Sequence, residues 1–152
     1  MKRWLMLGGL AAVVAAGAWF GLAGGDDGVV RIPYGDRETV ARGKQVYAEA
    51  CASCHGADLA GEPNWRQRRP NGRLPAPPHD ETGHTWHHPD GDLFAVTKYG
   101  VAKLAPPGYE SDMPAFEDQL SDADILASLA YIKSTWPEEI QRRHDAMNGR
   151  VQ

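Results

Sequence analysis

Both cysteines of the chain fall in one short motif, Cys51-Ala-Ser-Cys54-His55, and this motif limits what the chain can fold around. With two cysteines in all, a framework of several disulfides and a four-cysteine zinc site are both excluded. A redox-active pair of this spacing follows a strand and opens a helix, whereas helical spacing precedes Cys51. Two thiols followed at once by a histidine instead favour covalent attachment of a c-type haem, with His55 as an iron ligand.

The periodicity of the chain predicts three helices and no strand, which places the fold in the all-α class. Small and apolar residues recur at helical spacing as far as Cys51, and Asp36 can cap the start of that helix. A short helix is expected over 90–99, between a proline and a glycine, and the last strong helix begins at Ser121. Pro137 breaks the apolar stripe, so only a frayed turn or two is expected beyond it. Proline-rich loops connect the helices.

The first 23 residues differ from the rest of the chain. Lys2 and Arg3 precede an uncharged run from Trp4 to Ala23, which is long enough to span a bilayer and would leave the following domain outside the cytoplasm. We expect a single-pass inner-membrane anchor with the domain on the periplasmic face; a signal peptide cleaved near Ala16-Gly17-Ala18 is the competing interpretation. The expected divisions are an anchor or signal peptide (1–23), a linker (24–35), the main domain (36–136) and a C-terminal extension (137–152).

Four stretches carry a resemblance to a known family: ARGKQVYAEACASCHG, the proline-rich loop after it, SDMPAF and LASLAYIKSTW. Over roughly Val40 to Trp136 the chain resembles a class I c-type cytochrome of the bacterial, single-haem, membrane-anchored form. The resemblance implies the cytochrome c fold, with three or more helices wrapped around one haem c held by Cys51 and Cys54. It also implies that the first and last helices cross near the haem, where Gly43 and Tyr47 pack against Tyr131.

The sixth iron ligand is expected from the loop before the last helix. The resemblance implies Met113, and a thioether opposite His55 closes both axial sites and favours electron transfer over oxygen chemistry. Met147 is a weaker rival. The nearby histidines are His79, His84, His87 and His88. We expect His84 and His87, with Trp86, to line the haem edge and hydrogen-bond its propionates. The alternatives are that one histidine replaces the methionine, that the group binds copper or zinc, or that these histidines lie unpaired at the surface.

The surroundings of the iron can also be assigned from the resemblance. In the family a proline carbonyl accepts a hydrogen bond from the axial histidine, and Pro77 is the choice here among three prolines of the loop. Trp86 matches a tryptophan beside the haem propionates. A local run of arginines could neutralise one or two propionates; its members are Arg66, Arg68, Arg69 and Arg73.

The predicted function is one-electron transfer by an envelope protein that is not itself an enzyme. A net charge of −4 argues against a nucleic-acid partner. Six acidic and no basic residues lie between Glu110 and Asp124, so we expect a negative surface that docks a basic patch on a quinol-oxidising complex or a terminal oxidase or reductase. The alternatives are a role in copper handling or oxidase assembly through the histidines of 79–88, and a haem sensor or enzyme with an open distal site.

Overall fold

The computed structural model of the protein describes residues 28–149, in which α-helices and one 3₁₀ turn are the regular elements and no β-strand occurs. This part of the chain is all-α, as predicted. The predicted membrane segment, 1–23, lies outside the described residues. Between residues 28 and 149, no helix is both long enough and apolar enough to cross a membrane. In chain order the elements are α1 (Arg37–Ala50), α2 (Ala52–His55), a 3₁₀ turn (Thr85–His87), α3 (Asp90–Tyr99), α4 (Val101–Leu104), α5 (Asp122–Ser134) and α6 (Glu138–Met147).

Local capping explains where the two long helices begin. The Asp36 carboxylate accepts hydrogen bonds from the amides of Glu38 and Thr39, and α1 starts one residue later. The Ser121 hydroxyl oxygen accepts from the Asp124 amide at the start of α5, at 3.1 Å. Both caps satisfy amides that a helix leaves unpaired in its first turn, and both were predicted from the sequence.

The packing of α1 against α5 forms the centre of the fold. Gly43 allows the two backbones to approach, since a Cβ placed there would lie 1.8 Å from the Ala127 carbonyl oxygen. One turn later the rings of Tyr47 and Tyr131 pack with their centroids 5.4 Å apart. These contacts fix the end of α1, and therefore the position of Cys51, against the core. The buried apolar cluster comprises Ile32, Tyr47, Leu59, Leu93, Phe116, Ile125, Leu129, Ala130, Ile132 and Trp136.

The C-terminal segment is a full helix, and the expectation of a frayed turn is wrong. The α6 residues His144 and Asp145 are buried, and the Asp145 carboxylate accepts from the Lys133 ammonium of α5 at 2.6 Å. The His144 Nε2–H donates to the His88 carbonyl at 2.9 Å. An ion pair and a buried histidine, rather than an apolar stripe, therefore attach α6 to the domain.

The end of the predicted linker also packs against the domain. Ile32 is buried, and its amide donates to the Asp90 carboxylate at 2.9 Å. The Tyr34 hydroxyl donates to Asp145, at 2.5 Å. The chain entering α1 is thus fastened to both α3 and α6.

Candidate functional site

The cysteine motif lies at the junction of α1 and α2, where the chain turns away from the core. Cys51 ends α1, and its carbonyl accepts from the Cys54 and His55 amides at 3.2 and 3.0 Å. Both thiols are free; Cys51 is half-buried and Cys54 is exposed. Burial, followed by the neighbouring Cys54, raises the pKa of the Cys51 thiol to about 11. The motif therefore places two sulfurs about one helical turn apart, next to a buried imidazole.

His55 is held in one orientation and one protonation state. Its side chain is 7% exposed, and Nδ1 lies 2.8 Å from the Pro77 carbonyl oxygen, which can only accept, so Nδ1 carries the proton. Burial lowers the pKa of His55, opposed by the Pro77 carbonyl and by Glu62, so the ring is neutral. Within residues 28–149 no hydrogen bond is made by Nε2. A neutral imidazole with Nδ1 anchored and a lone pair on Nε2 is the donor that haem iron requires, so the residues present fit the group.

Close backbone contacts hold the loop that supplies the Pro77 carbonyl. A Cβ on Gly61 would lie 2.5 Å from the Pro78 nitrogen, and one on Gly83 would lie 2.0 Å from the Pro78 carbonyl oxygen. The Leu59 carbonyl accepts from the His79 amide at 2.8 Å. Two glycines thus let the chain wrap closely around the prolines that orient His55.

His79 lies against His55 rather than across from it. The two imidazoles stack with centroids 4.0 Å apart and planes 24° apart. His79 Nδ1 is paired with the Thr85 hydroxyl at 2.8 Å, and its carbonyl accepts from the Trp136 indole at 2.8 Å. The pKa of His79 is well below its usual value, mainly because the ring is buried. A ring stacked on the face of His55 supports the orientation of that imidazole and does not lie opposite its Nε2 atom. Trp136 was not recognised from the sequence as part of these surroundings.

The other histidines of 79–88 pack on aromatic rings at the surface. His84 stacks on Trp65 with centroids 5.3 Å apart, and His88 packs edge-on against His84 at 5.4 Å. His87 packs edge-on against Trp86. Across the described part of the chain, no three histidine, cysteine or acidic side chains converge to hold a metal ion. The geometry therefore does not assemble the copper or zinc site that the sequence left open.

The Trp86 ring is half-buried beside the core cluster. Its indole N–H donates to the Glu81 carbonyl at 3.3 Å, and the Arg143 guanidinium lies 5.0 Å from the ring centroid. This hydrogen bond therefore stays within the loop that carries Trp86.

Met113 is half-buried and packs against the same apolar cluster that Cys51 contacts. Its amide donates to the Ser111 hydroxyl at 3.1 Å. Just beyond it, buried Phe116 donates its amide to the Lys98 carbonyl at 3.0 Å, which ties the exit of the loop to α3. Met147, by contrast, is 42% exposed at the end of α6, where it is not placed to act as a ligand.

Ion pairs within the chain neutralise much of the acidic run between Glu110 and Asp124. Five of its six carboxylates lie within 4.0 Å of an arginine or lysine nitrogen. Arg69 and Arg73 take part in these pairs and so bind carboxylates of the chain itself. The sequence signal for this pairing is the presence of a basic run at 66–73 and an acidic run at 110–124. The paired carboxylates are Glu110, Asp112, Glu117, Asp122 and Asp124.

A family model described as Cytochrome c matches residues 40–136. The chain belongs to the class I c-type cytochromes. The match covers the cysteine motif, the proline loop, Met113 and α5, and it ends at Trp136, so α6 lies beyond it. Membership implies a covalently bound haem c and a role in electron transfer, and members of the family generally carry electrons rather than transform a substrate. A comparison with solved structures found no significant match.

Proposed function

We propose that this cytochrome is a one-electron carrier of the cell envelope whose haem c is joined to Cys51 and Cys54 and has His55 and Met113 as axial ligands. The observation that carries the proposal is the hydrogen bond from His55 to Pro77, because it leaves Nε2 free on a buried, neutral ring. The haem supplies an iron that exchanges one electron between its ferrous and ferric forms. No bond in a substrate is made or broken.

The residues around the haem have separate tasks in this proposal. Pro77 fixes the tautomer of His55 and increases the basicity of Nε2 through the shared proton on Nδ1. His79 stacks on the ring and limits its rotation. The Met113 thioether closes the distal side, which favours the reduced iron and keeps oxygen away from it. Trp86 contributes packing beside the cluster that Met113 contacts.

The proposed location is the periplasmic face of the inner membrane, with residues 1–23 as a single-pass anchor. The support is the sequence: a basic pair followed by an uncharged run of spanning length. Protease added to intact spheroplasts should remove the haem-stained domain, and carbonate washing should leave the chain in the membrane. A domain protected from protease until the membrane is broken would contradict this location.

The proposed partners are a quinol-oxidising donor and a terminal oxidase or reductase with a basic docking face. The support is the net charge of −4. Small oxidants of opposite charge test it without naming the partner. Cationic tris(phenanthroline)cobalt(III) should oxidise the reduced protein faster as salt is lowered, and anionic hexacyanoferrate(III) should oxidise it more slowly. Equal salt slopes for the two would remove electrostatic steering from the proposal.

Carbon monoxide distinguishes the carrier from a sensor or enzyme with an open distal site. We expect the reduced, full-length protein to resist carbon monoxide, and Met113→Ala to bind it readily. Met147→Ala is the matched control, since that methionine is exposed on α6, and it should behave as wild type. Binding to wild type as fast as to Met113→Ala would show an open site and contradict the carrier mechanism.

A further inference from the structure

We propose that Arg69 and Arg73 hold the Met113 loop closed over the haem, and that Arg69 joins this loop to the segment that orients His55. The group is called the arginine clasp here and consists of Glu62, Arg69, Arg73, Glu110 and Asp112. The inference rests on the proposed ligation by Met113.

On one side of the clasp, Arg69 and Arg73 bind Asp112, the residue before Met113. Arg73 Nη1 donates to one oxygen of the Asp112 carboxylate at 2.5 Å, and Arg69 Nη1 donates to the other at 3.2 Å. Arg73 Nε also donates to Glu110 at 3.3 Å. Two guanidinium groups on both oxygens of one carboxylate fix its orientation as well as its distance. Asp112 is bonded directly to Met113, so the backbone of the proposed ligand is fixed with it.

On the other side of the clasp, Arg69 is linked through Glu62 to the segment of Pro77, whose carbonyl accepts from His55. Arg69 Nη2 donates to one oxygen of Glu62 at 2.5 Å, and the other oxygen of Glu62 accepts from the Ala76 amide at 2.7 Å. The Glu62 amide in turn donates to the Ala76 carbonyl at 2.9 Å. Ala76 precedes Pro77, whose carbonyl accepts from His55. Arg69 therefore bridges the two sides on which the iron ligands are proposed to lie.

The Met113 loop, residues 106–113, has one further charged contact with another described segment: the Arg68 guanidinium lies 5.6 Å from the centroid of the Tyr109 ring. For residues 106–113, every hydrogen bond or ion pair to another segment of the described chain comes from Arg69 or Arg73. The remaining bonds of the loop are internal, such as that from the Tyr109 amide to the Pro106 carbonyl. The loop is therefore held by its apolar contacts, by the contact of Arg68 with Tyr109 and by the clasp.

The arginines are themselves fixed by a turn of the chain. The Arg69 amide donates to the Arg73 carbonyl at 2.9 Å, and the Gly72 amide donates back to the Arg69 carbonyl at 2.8 Å. Both side chains are 37% exposed. Exposed pairs are individually weak and are screened by salt, so the clasp should loosen as ionic strength rises.

Imidazole binding to the ferric, full-length, haem-loaded protein in detergent tests the clasp, because imidazole binds only when Met113 leaves the iron. Arg69→Gln and Arg73→Gln should each raise the observed rate about fivefold, and Asp112→Asn should do the same from the opposite side. Arg142→Gln is the matched control. It removes an exposed ion pair to Glu138 within α6 and should leave the rate unchanged.

Two further comparisons separate a clasp from a general loss of stability. Raising sodium chloride should speed imidazole binding to wild type and have little effect on the Arg69→Gln/Arg73→Gln double variant. Glu62→Gln should give part of the Arg69→Gln effect, and combining the two should add little, because both break the same bridge. The wild-type half of the salt comparison needs no variant, so that measurement stands even where a variant fails to mature.

The results distinguish a failure of the clasp proposal from a failure of the proposed ligation by Met113. Wild type that shows the far-red iron–thioether band, with clasp variants that bind imidazole at the wild-type rate, overturns the clasp and leaves ligation by Met113 intact. Wild type that lacks the band removes Met113 as a ligand, and the clasp proposal falls with it. Faster binding in the variants at unchanged thermal stability supports the clasp.

Discussion

The Nδ1 atom of His55 lies 2.8 Å from the carbonyl oxygen of Pro77, a residue 22 positions further along the chain. This hydrogen bond joins the helical cysteine motif to a proline loop that two glycines allow to pack closely. Because Nδ1 carries the proton, the lone pair of the His55 ring is on Nε2, which is the atom that can bind a metal. The proposed ligation by His55 depends on this contact.

Replacement of Gly43 by alanine should destabilise the domain by about 3 kcal/mol, because the new methyl would overlap the Ala127 carbonyl and force α1 away from α5. Chemical denaturation of the haem-loaded protein measures the change. Gly91→Ala is the control, since α3 leaves open space there and alanine is the better helix former. Equal stability of Gly43→Ala and wild type would contradict the close crossing.

Replacement of Lys133 by methionine should cost about 3 kcal/mol, because it leaves the Asp145 carboxylate without its buried cation. Arg142→Gln, which removes an exposed pair with Glu138, should change the free energy of unfolding by less than about 0.5 kcal/mol. Denaturant midpoints of the two variants decide the comparison. Similar denaturant midpoints for the two variants would mean that the buried Lys133–Asp145 ion pair does not stabilise the packing of α6.

The stability of the domain should fall as the pH drops below about 6.5, in part because of His144. Burial, followed by the Lys133 ammonium, lowers the pKa of His144, although Asp90 and Asp145 oppose the shift. The unfolded chain then binds a proton that the folded chain does not, so this stability is full above about 6.5 and is lost as the pH falls through the lowered value. Unfolding free energies between pH 7 and 5 should show a smaller slope in His144→Gln. The exposed His87→Gln serves as control, and an unchanged slope in His144→Gln would remove His144 as the cause.

Removal of the covalent haem should unfold much of the domain. The buried apolar cluster is small for the length of chain it supports, and a domain of this kind depends on a bound group for part of its core. A Cys51→Ala/Cys54→Ala variant should lose haem staining on denaturing gels and most of its helical circular dichroism. Ser53→Ala, between them, should retain both. A fully helical, cooperatively unfolding double variant would show that the core is sufficient without the haem.

The parts of this structure that follow from local sequence were predictable. Asp36 and Ser121 cap α1 and α5 through residues two or three positions away, and short-range signals of this kind can be recognised in one sequence. The range of α3 was also predicted. The cysteine motif carries its own chemistry, and the family match supports the haem that it implied.

The features that the sequence did not reveal depend on long-range polar contacts. The helix α6 lacks an apolar stripe, and its buried His144 and Asp145 bind Lys133 and His88, which lie far away in the sequence or on other elements. The arginine clasp joins residues about 40 positions apart. Each of the two charged runs taken alone predicts a propionate site or a docking surface, because a single sequence does not show that the runs lie side by side.

The visible spectrum of the ferric, full-length protein tests the central claim most directly. A weak far-red charge-transfer band reports an iron–thioether bond. We predict that wild type and Met147→Ala show the band and that Met113→Ala lacks it. A wild-type protein without the band, or a Met113→Ala variant that keeps it, would contradict His55/Met113 ligation and the closed-site electron carrier built on it.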